Sequence, residues 1–197
     1  MNTKNDDRRV RKTKKALRQG LSELLLKKNI KDISVRELTD YVDIHRGTFY
    51  LHYRDIYDLY AQIEAETAQE VKGILERYTP EEVAGNPFPM ILTLIEYIAE
   101  NVSLCRMMLS QNGNMSFTKE LSDIIYQKCI HDWMALFKES TMEQREFYGA
   151  YVVSGCIGVL RKWLDTGMAQ TPERVATIIE KITVQGMKFL CQPLAAE

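Results

Sequence analysis

Ser34-Val-Arg-Glu-Leu-Thr-Asp-Tyr-Val-Asp-Ile-His-Arg-Gly-Thr-Phe-Tyr-Leu-His-Tyr53 is the stretch whose reading decides the fold. Ser34 stands three residues before Glu37, the spacing of a capping box. The serine oxygen can accept from the Glu37 N–H while the Glu37 carboxylate reaches back. A short helix therefore starts at Ser34 and ends near Val42. Asp43 follows, a residue type that tolerates the left-handed backbone of a sharp turn. Ile44 then plugs the turn, and a second short helix runs from about Arg46 to Tyr53. Phe49 and Tyr53 lie four apart and pack inward, which leaves Arg46, Thr48, Tyr50 and His52 to point outward. Gly47 costs about 1 kcal/mol of helix propensity relative to Ala, an expense that makes sense if the backbone there must approach something closely.

Two helices of about eight residues joined by a tight turn have the geometry of a helix-turn-helix, whose second helix enters the major groove of DNA. The flanks agree with that reading. Upstream, a helix from about Arg9 to Lys27 carries Val10, Leu17, Leu21, Leu24 and Leu25 on one stripe. Arg8, Arg9, Arg11, Lys12, Lys14, Lys15 and Arg18 crowd its start. Cations at a helix N-terminus oppose the macrodipole, so a phosphate partner would explain them. Downstream, Asp55 caps a long helix with the buried stripe Ile56, Leu59, Tyr60, Ile63, Thr67, Val71, Ile74 and Tyr78. Net charge over the 197 residues is only -1, but it is unevenly spread. Residues 1–54 hold 14 Lys/Arg against 7 Asp/Glu, and the remainder hold 12 against 20. A basic N-terminal module thus precedes an acidic one.

The rest of the chain is also helical in pattern. Prolines are confined to loops, at 80, 87, 89, 172 and 193. Helix starts are marked by Thr79-Pro80-Glu81-Glu82, by Thr141-Met142-Glu143-Gln144 and by Thr171-Pro172. Helices are expected over 88–101, 103–111, 116–138, 142–165 and 172–190. With no alternating strand pattern and no repeat, the fold class is all-α. Apolar residues at 45% exclude a disordered tail. Cys105, Cys129, Cys156 and Cys191 are widely spaced without a CxxC or Cys/His cluster, which argues against zinc and for free thiols in a reducing compartment. The charged N-terminus is unlike a signal peptide, and the uncharged run of residues 147–160 is too short to span a bilayer. The expected location is cytoplasmic.

The stretch from Ile33 to Leu59, with its Gly47-Thr-Phe-Tyr-x-His-Tyr53 core and its Asp55-x-x-Asp-Leu59 cap, resembles the TetR family of regulators. The resemblance covers about residues 9–64. It implies an N-terminal three-helix DNA-binding domain over 9–54, joined by a long helix to a helical ligand-binding and dimerisation domain over 55–192. It also implies roles. Arg36 would contact base or phosphate, and Arg46, Gly47 and Thr48 would sit at the groove-facing start of the recognition helix. Tyr50 and His52 would hold phosphates or reach base edges. Lys14, from the basic first helix, is expected on phosphate. Departures stand at His45, where Ser, Thr or Asn is the usual cap, at Asp43 for a common glycine and at Val42 for a common alanine. Ile56 and Tyr57 replace a frequent lysine, which puts that phosphate contact in doubt.

For the second module, Met107, Met108, Tyr126, Trp133 and Phe137 are candidates to line a pocket for a small apolar effector; residues at this spacing serve equally well as plain core. Ala150, Ser154 and Gly158 sit four apart and permit close helix approach, and Ile178, Ile182 and Phe189 stripe the last helix. Together they form the expected homodimer seam, a four-helix bundle. Residues 151–164 resemble the relatives in this family that regulate dihydroxyacetone kinase operons. His131-Asp132 is similar to a pair of metal ligands, but no second cluster accompanies it, and no glycine-rich phosphate loop, HExxH or G-x-S-x-G is present. The expectation is a regulator and not an enzyme, with no cofactor and no metal. It would bind double-stranded DNA at a palindromic operator as a repressor released by a ligand. An activator of the same fold, or a helical sequestrant without DNA binding, remains the alternative.

Overall fold

Local signals in the chain set most helix boundaries. The computed structural model describes residues 3–109, 115–128 and 140–187. Among them are the helices α1 (Thr3–Leu25), α2 (Val35–Tyr41), α3 (Arg46–Tyr50), α4 (Ile56–Leu75), α5 (Pro80–Gly85), α6 (Phe88–Glu100), α7 (Val102–Leu109), α8 (Met115–Lys128), α9 (Met142–Asp165) and α10 (Pro172–Met187), and no strand. The fold is all-α. Thr79 and Glu82 close a reciprocal capping box at 2.9 and 3.3 Å, and Thr141 and Gln144 another at 2.9 and 3.2 Å. The Asp55 carboxylate accepts from the Asp58 N–H at 2.8 Å and starts α4. Thr171 accepts from the Arg174 N–H at 3.3 Å and starts α10. Residues 110–111, 129–138 and 188–190, the outer parts of three expected helices, lie outside the described residues, and so do His131, Asp132, Cys129 and Cys191.

Two compact units divide the chain: residues 1–67 with 103–113, and residues 68–102 with 114–197. In the first, Leu17, Leu21 and Leu24 of α1 meet Leu38, Phe49, Tyr53, Ile56, Leu59 and Ile63 in a buried core. Val10, expected on the α1 stripe, is exposed, because the helix runs past its partners at that end. Arg18 reaches across from α1 to α4, donating to Thr67 at 3.1 Å and pairing with Glu66 at 3.4 Å. Gly20 has a steric role. A Cβ there would lie 2.3 Å from the Val42 Cγ1, so the bare backbone of α1 is what admits the valine at the end of α2.

In the second unit, α6 and α10 pack along each other. Met90, Ile91 and Ile95 join Val175, Ala176 and Ile179, and Trp163 of α9 and Leu75 of α4 belong to the same cluster. Two buried side chains of this unit find backbone partners. The Trp163 indole donates to the Gln170 carbonyl at 2.9 Å, and the Tyr148 hydroxyl donates to the Thr183 carbonyl. Burial pushes the Cys156 thiol up to about 11. No single helix among the described residues is long and apolar enough to cross a membrane.

Candidate nucleic-acid interface

The α2–α3 motif is assembled from short-range contacts. The Ser34 hydroxyl accepts from the Glu37 N–H at 3.1 Å, as its spacing predicts. The Glu37 carboxylate does not return the bond. It pairs with the Lys28 ammonium, a charge-assisted contact stronger than a bond to a neutral amide, so only half of the capping box forms. Asp43 adopts φ 52, the left-handed conformation its side chain tolerates. The Ile44 N–H then donates to the Thr39 carbonyl at 2.9 Å, closing the turn. His45, with φ -65 and ψ 136, is the N-cap of α3. Its Nδ1 accepts from the Gly47 N–H at 3.1 Å. The ring thus does the work of the more usual hydroxyl or amide cap. A Cβ on residue 47 would stand 3.2 Å from that same Nδ1, so the close approach expected at Gly47 is found with the imidazole of its own chain.

Exposure along α3 follows a helical period. Arg46, Gly47, Tyr50 and Leu51 are exposed, Thr48 and His52 are half-buried, and Phe49 is fully buried. Of the set 46, 48, 50, 52 expected to face outward, Arg46 and Tyr50 are exposed and Thr48 and His52 partly so, and Gly47 and Leu51 are exposed as well. A helix turns 100° per residue and places i and i+4, not i and i+2, on one face. Leu51, absent from that expectation, is 79% exposed. Its signal lay in the helical spacing from Gly47. Among the described residues the Arg46 guanidinium has no ion pair or hydrogen bond. Arg36 is tied loosely to Asp40 at 3.6 Å, both side chains being well exposed.

Lys14 of α1 holds its ammonium 5.9 Å from the Tyr53 ring centroid, which brings a cation of the basic helix to the end of α3. Tyr53 is itself buried, and its phenol is pushed up to about 12, first by desolvation and then by the charge of Glu66. The Asp58 carboxyl is held below its usual range, chiefly by the Arg54 backbone N–H at 2.8 Å and then by Gln62. These contacts fix the chain between α3 and α4. The surface they support carries cations, aromatic rings and the exposed Leu51 side chain, a set of groups able to meet phosphates and base edges.

Other candidate residues fall in different places. Met107 and Met108 are buried on α7 in the first unit, and Tyr126 is half-buried on α8 in the second. Trp133 and Phe137 lie outside the described residues. An open hollow of about 400 Å³ is lined by Ser34, Arg36, Glu37, Asp40 and Tyr41, none of them a candidate pocket residue. Ala150, Ser154 and Gly158 on α9 and Ile178 and Ile182 on α10 are all exposed on the single chain; Phe189 lies outside the described residues. Two large residues that sequence reasoning missed extend this strip, Phe147 at 71% and Tyr151 at 62% exposure. They are four apart, and each lies three residues before a member of the small-residue series, Ala150 and Ser154, which is the helical spacing that could have found them.

Known proteins are similar to this chain in sequence and in shape. An uncharacterized HTH-type transcriptional regulator of Bacillus subtilis (strain 168), YxbF, is 24% identical over 172 residues, or 86% of this chain. The chain spans 44% of that relative's length. Among solved structures, the dihydroxyacetone kinase operon activator DhaS matches with TM-score 0.61 and 16% identity, covering 90% of this chain and 97% of its own. A TetR transcriptional regulator from Streptococcus agalactiae matches with TM-score 0.57 and 18% identity, covering 92% and 99%. At these identities the structural likeness speaks for the fold. Residues 85–185 match the family model of the TetR transcriptional regulator C-terminal region, half of the chain and the half that the helix-turn-helix pattern does not reach. With that match downstream of the α2–α3 motif, the chain belongs to the TetR family of transcriptional regulators.

Proposed function

We propose that this protein is a sequence-specific DNA-binding transcription regulator, a cytoplasmic homodimer that represses from a palindromic operator and is released by a small apolar effector. The observation that carries the reading is the outward face of α3, where the Arg46 guanidinium, unpaired among the described residues, stands with Tyr50 in an N-terminal segment, residues 1–54, whose cations outnumber its anions 14 to 7. Arg46 would grip guanine O6 and N7, while Lys14, Arg36, Tyr50 and His52 would hold the backbone or flanking edges, and Gly47 and Thr48 would line the helix start. Residues 9–54 would form the DNA-binding domain and residues 55–192 the effector-binding and dimerisation domain.

A strip of exposed apolar and small residues on α9 and α10, including Ala150, Ser154, Gly158, Ile178 and Ile182, supports self-association. A two-fold dimer would present two recognition helices about 34–36 Å apart, or a multiple of that, and so require an inverted repeat. An effector would act by binding one of two states more tightly, with a coupling of about 1–3 kcal/mol. Met107, Met108, Tyr126, Trp133 and Phe137 remain the residues proposed to contact it.

Binding of the intact protein to DNA selected from random sequence, measured from about 50 to 200 mM salt, tests the reading. Affinity should fall steeply with salt, because lysine and arginine displace counterions from phosphates. Lys14→Ala should weaken binding uniformly across sequences. No selected duplex, or an affinity flat in salt, would favour a helical sequestrant. The second reading is activation. DhaS is named an operon activator, and the same head would serve either outcome according to operator position. A reporter placed behind the selected operator separates the two by the sign of its response to deletion of the gene.

A further inference from the structure

Leu51 is the C-cap of α3 with φ -71 and ψ -19, so the helical turn continues through it. It lies four residues after Gly47, on the same side of the helical turn, and next to Tyr50 in the chain. Among the described residues it is the most exposed large apolar side chain, at 79%. Arginines stand five residues before it and three residues after it in the chain. Among the described residues Arg46 is unpaired, and the Arg54 side chain is 87% exposed with a 3.6 Å contact to Asp58. An occupant of this face has to be anionic and yet offer an apolar group to a single side chain standing among cations. A membrane surface fits poorly, because it asks for a broad apolar face along a longer helix. The major groove of DNA fits well: phosphates form its rim, and the only methyl group on its floor is the C5-methyl of thymine.

We propose that Leu51 reads thymine in the operator through that methyl group, an inference that rests on the DNA-binding reading above. Arg46 and Leu51 are five residues apart on one helix, a rise of about 7.5 Å, so the thymine falls within about three base pairs of the guanine taken by Arg46. The contact is van der Waals and hydrophobic, and it carries no charge. It therefore adds sequence preference without changing the salt dependence of binding.

The test uses the intact protein and a duplex obtained by selection from random-sequence DNA. Each thymine is replaced in turn by deoxyuridine, which removes the methyl group and nothing else. For the unaltered protein, one thymine in each half-site should lose about fourfold in affinity, the effect of one buried methyl group. Leu51→Ala should bind the thymine and deoxyuridine duplexes equally at that position, with an unchanged salt slope, and Leu51→Met should keep part of the preference. Because Leu51 is exposed, the melting temperature of Leu51→Ala should match that of the parent, which excludes misfolding as the cause. A selected duplex with no methyl-sensitive thymine, or the same sensitivity in Leu51→Ala, overturns this proposal alone. Failure to select any duplex overturns the DNA-binding reading, and this proposal falls with it.

Discussion

The imidazole of His45 fills the space that a side chain at residue 47 would need. Nδ1 accepts from the Gly47 N–H at 3.1 Å and would stand 3.2 Å from a Cβ on that residue. The two positions are therefore energetically coupled. His45→Ala should destabilise the protein by about 1 kcal/mol through loss of the cap, and His45→Asn should restore most of it. Gly47→Ala should be close to neutral with His45 present, since the gain in helix propensity is offset by crowding of the ring. In a His45→Ser background the same change should stabilise by up to about 1 kcal/mol. Urea denaturation of the four chains measures the cycle. Equal effects of Gly47→Ala in both backgrounds would show that the ring is not the obstacle.

Gly20 and Val42 form a second such pair. Gly20→Ala improves the intrinsic helix propensity of α1, yet its Cβ would meet Val42 at 2.3 Å. The expected result is a loss of about 1–3 kcal/mol from overpacking. Val42→Ala in the same chain should recover much of that loss. A Gly20→Ala protein at least as stable as the parent would mean that α1 and α2 slide apart without cost.

Alkaline stability follows from Tyr53. Its phenol is pushed up to about 12 in the folded protein against an ordinary value near 10. The folded state thus keeps the proton after the unfolded state has lost it. The resulting stability difference is intact below pH 10 and is lost as pH rises from about 10 through 12. Tyr53→Phe should remove this part of the decline, seen as a flatter plot of melting temperature against pH over that window. An identical decline in both proteins would assign it to other groups.

Gly158 is exposed, and a Cβ there would meet nothing within 4 Å on its own chain. Gly158→Leu should leave the monomer fold unchanged in far-ultraviolet circular dichroism. If α9 packs against its counterpart in a second copy, the bulky side chain should weaken the dimer by tenfold or more, about 1.4 kcal/mol upward. Sedimentation equilibrium reads the change. An unaltered dimer would place the seam on another surface.

Arg46→Ala should cost about 1–3 kcal/mol in operator binding and relax the preference at one base pair, with little change in melting temperature because the guanidinium holds nothing in the fold. A variant that keeps both affinity and sequence preference would leave Arg46 to backbone or solvent.

Helix ends were legible in the sequence where their chemistry is local. Thr79 with Glu82 and Thr141 with Gln144 close within four residues, and their boxes form as spaced. Ser34 and Glu37 have the same spacing, but a non-local partner, Lys28, takes the carboxylate. Asp43 declared its left-handed turn by residue type. On α3 the reading faltered in two ways. The expected outward set left out Leu51, and the close approach at Gly47 was not traced to the histidine two residues before it. Pocket residues were the least legible, because Met107 and Met108 at helical spacing serve a core as well as a cavity, and they are buried in the first unit.

Among the described residues the Arg46 side chain has no ion pair or hydrogen bond and Leu51 is mostly exposed, while Gly47, lying between them, is held by His45. This asymmetry bears on how such a protein can change its target over generations. Replacing Arg46 or Leu51 alters what the surface can recognise at no cost to folding, so new specificities are open to single mutations. Residue 47 is less free: a side chain there crowds the histidine, so it adds stability only after, or together with, a change at 45, a path of two steps. Sequence drift in descendants of this protein should therefore be free at 46 and 51 and paired at 45 and 47.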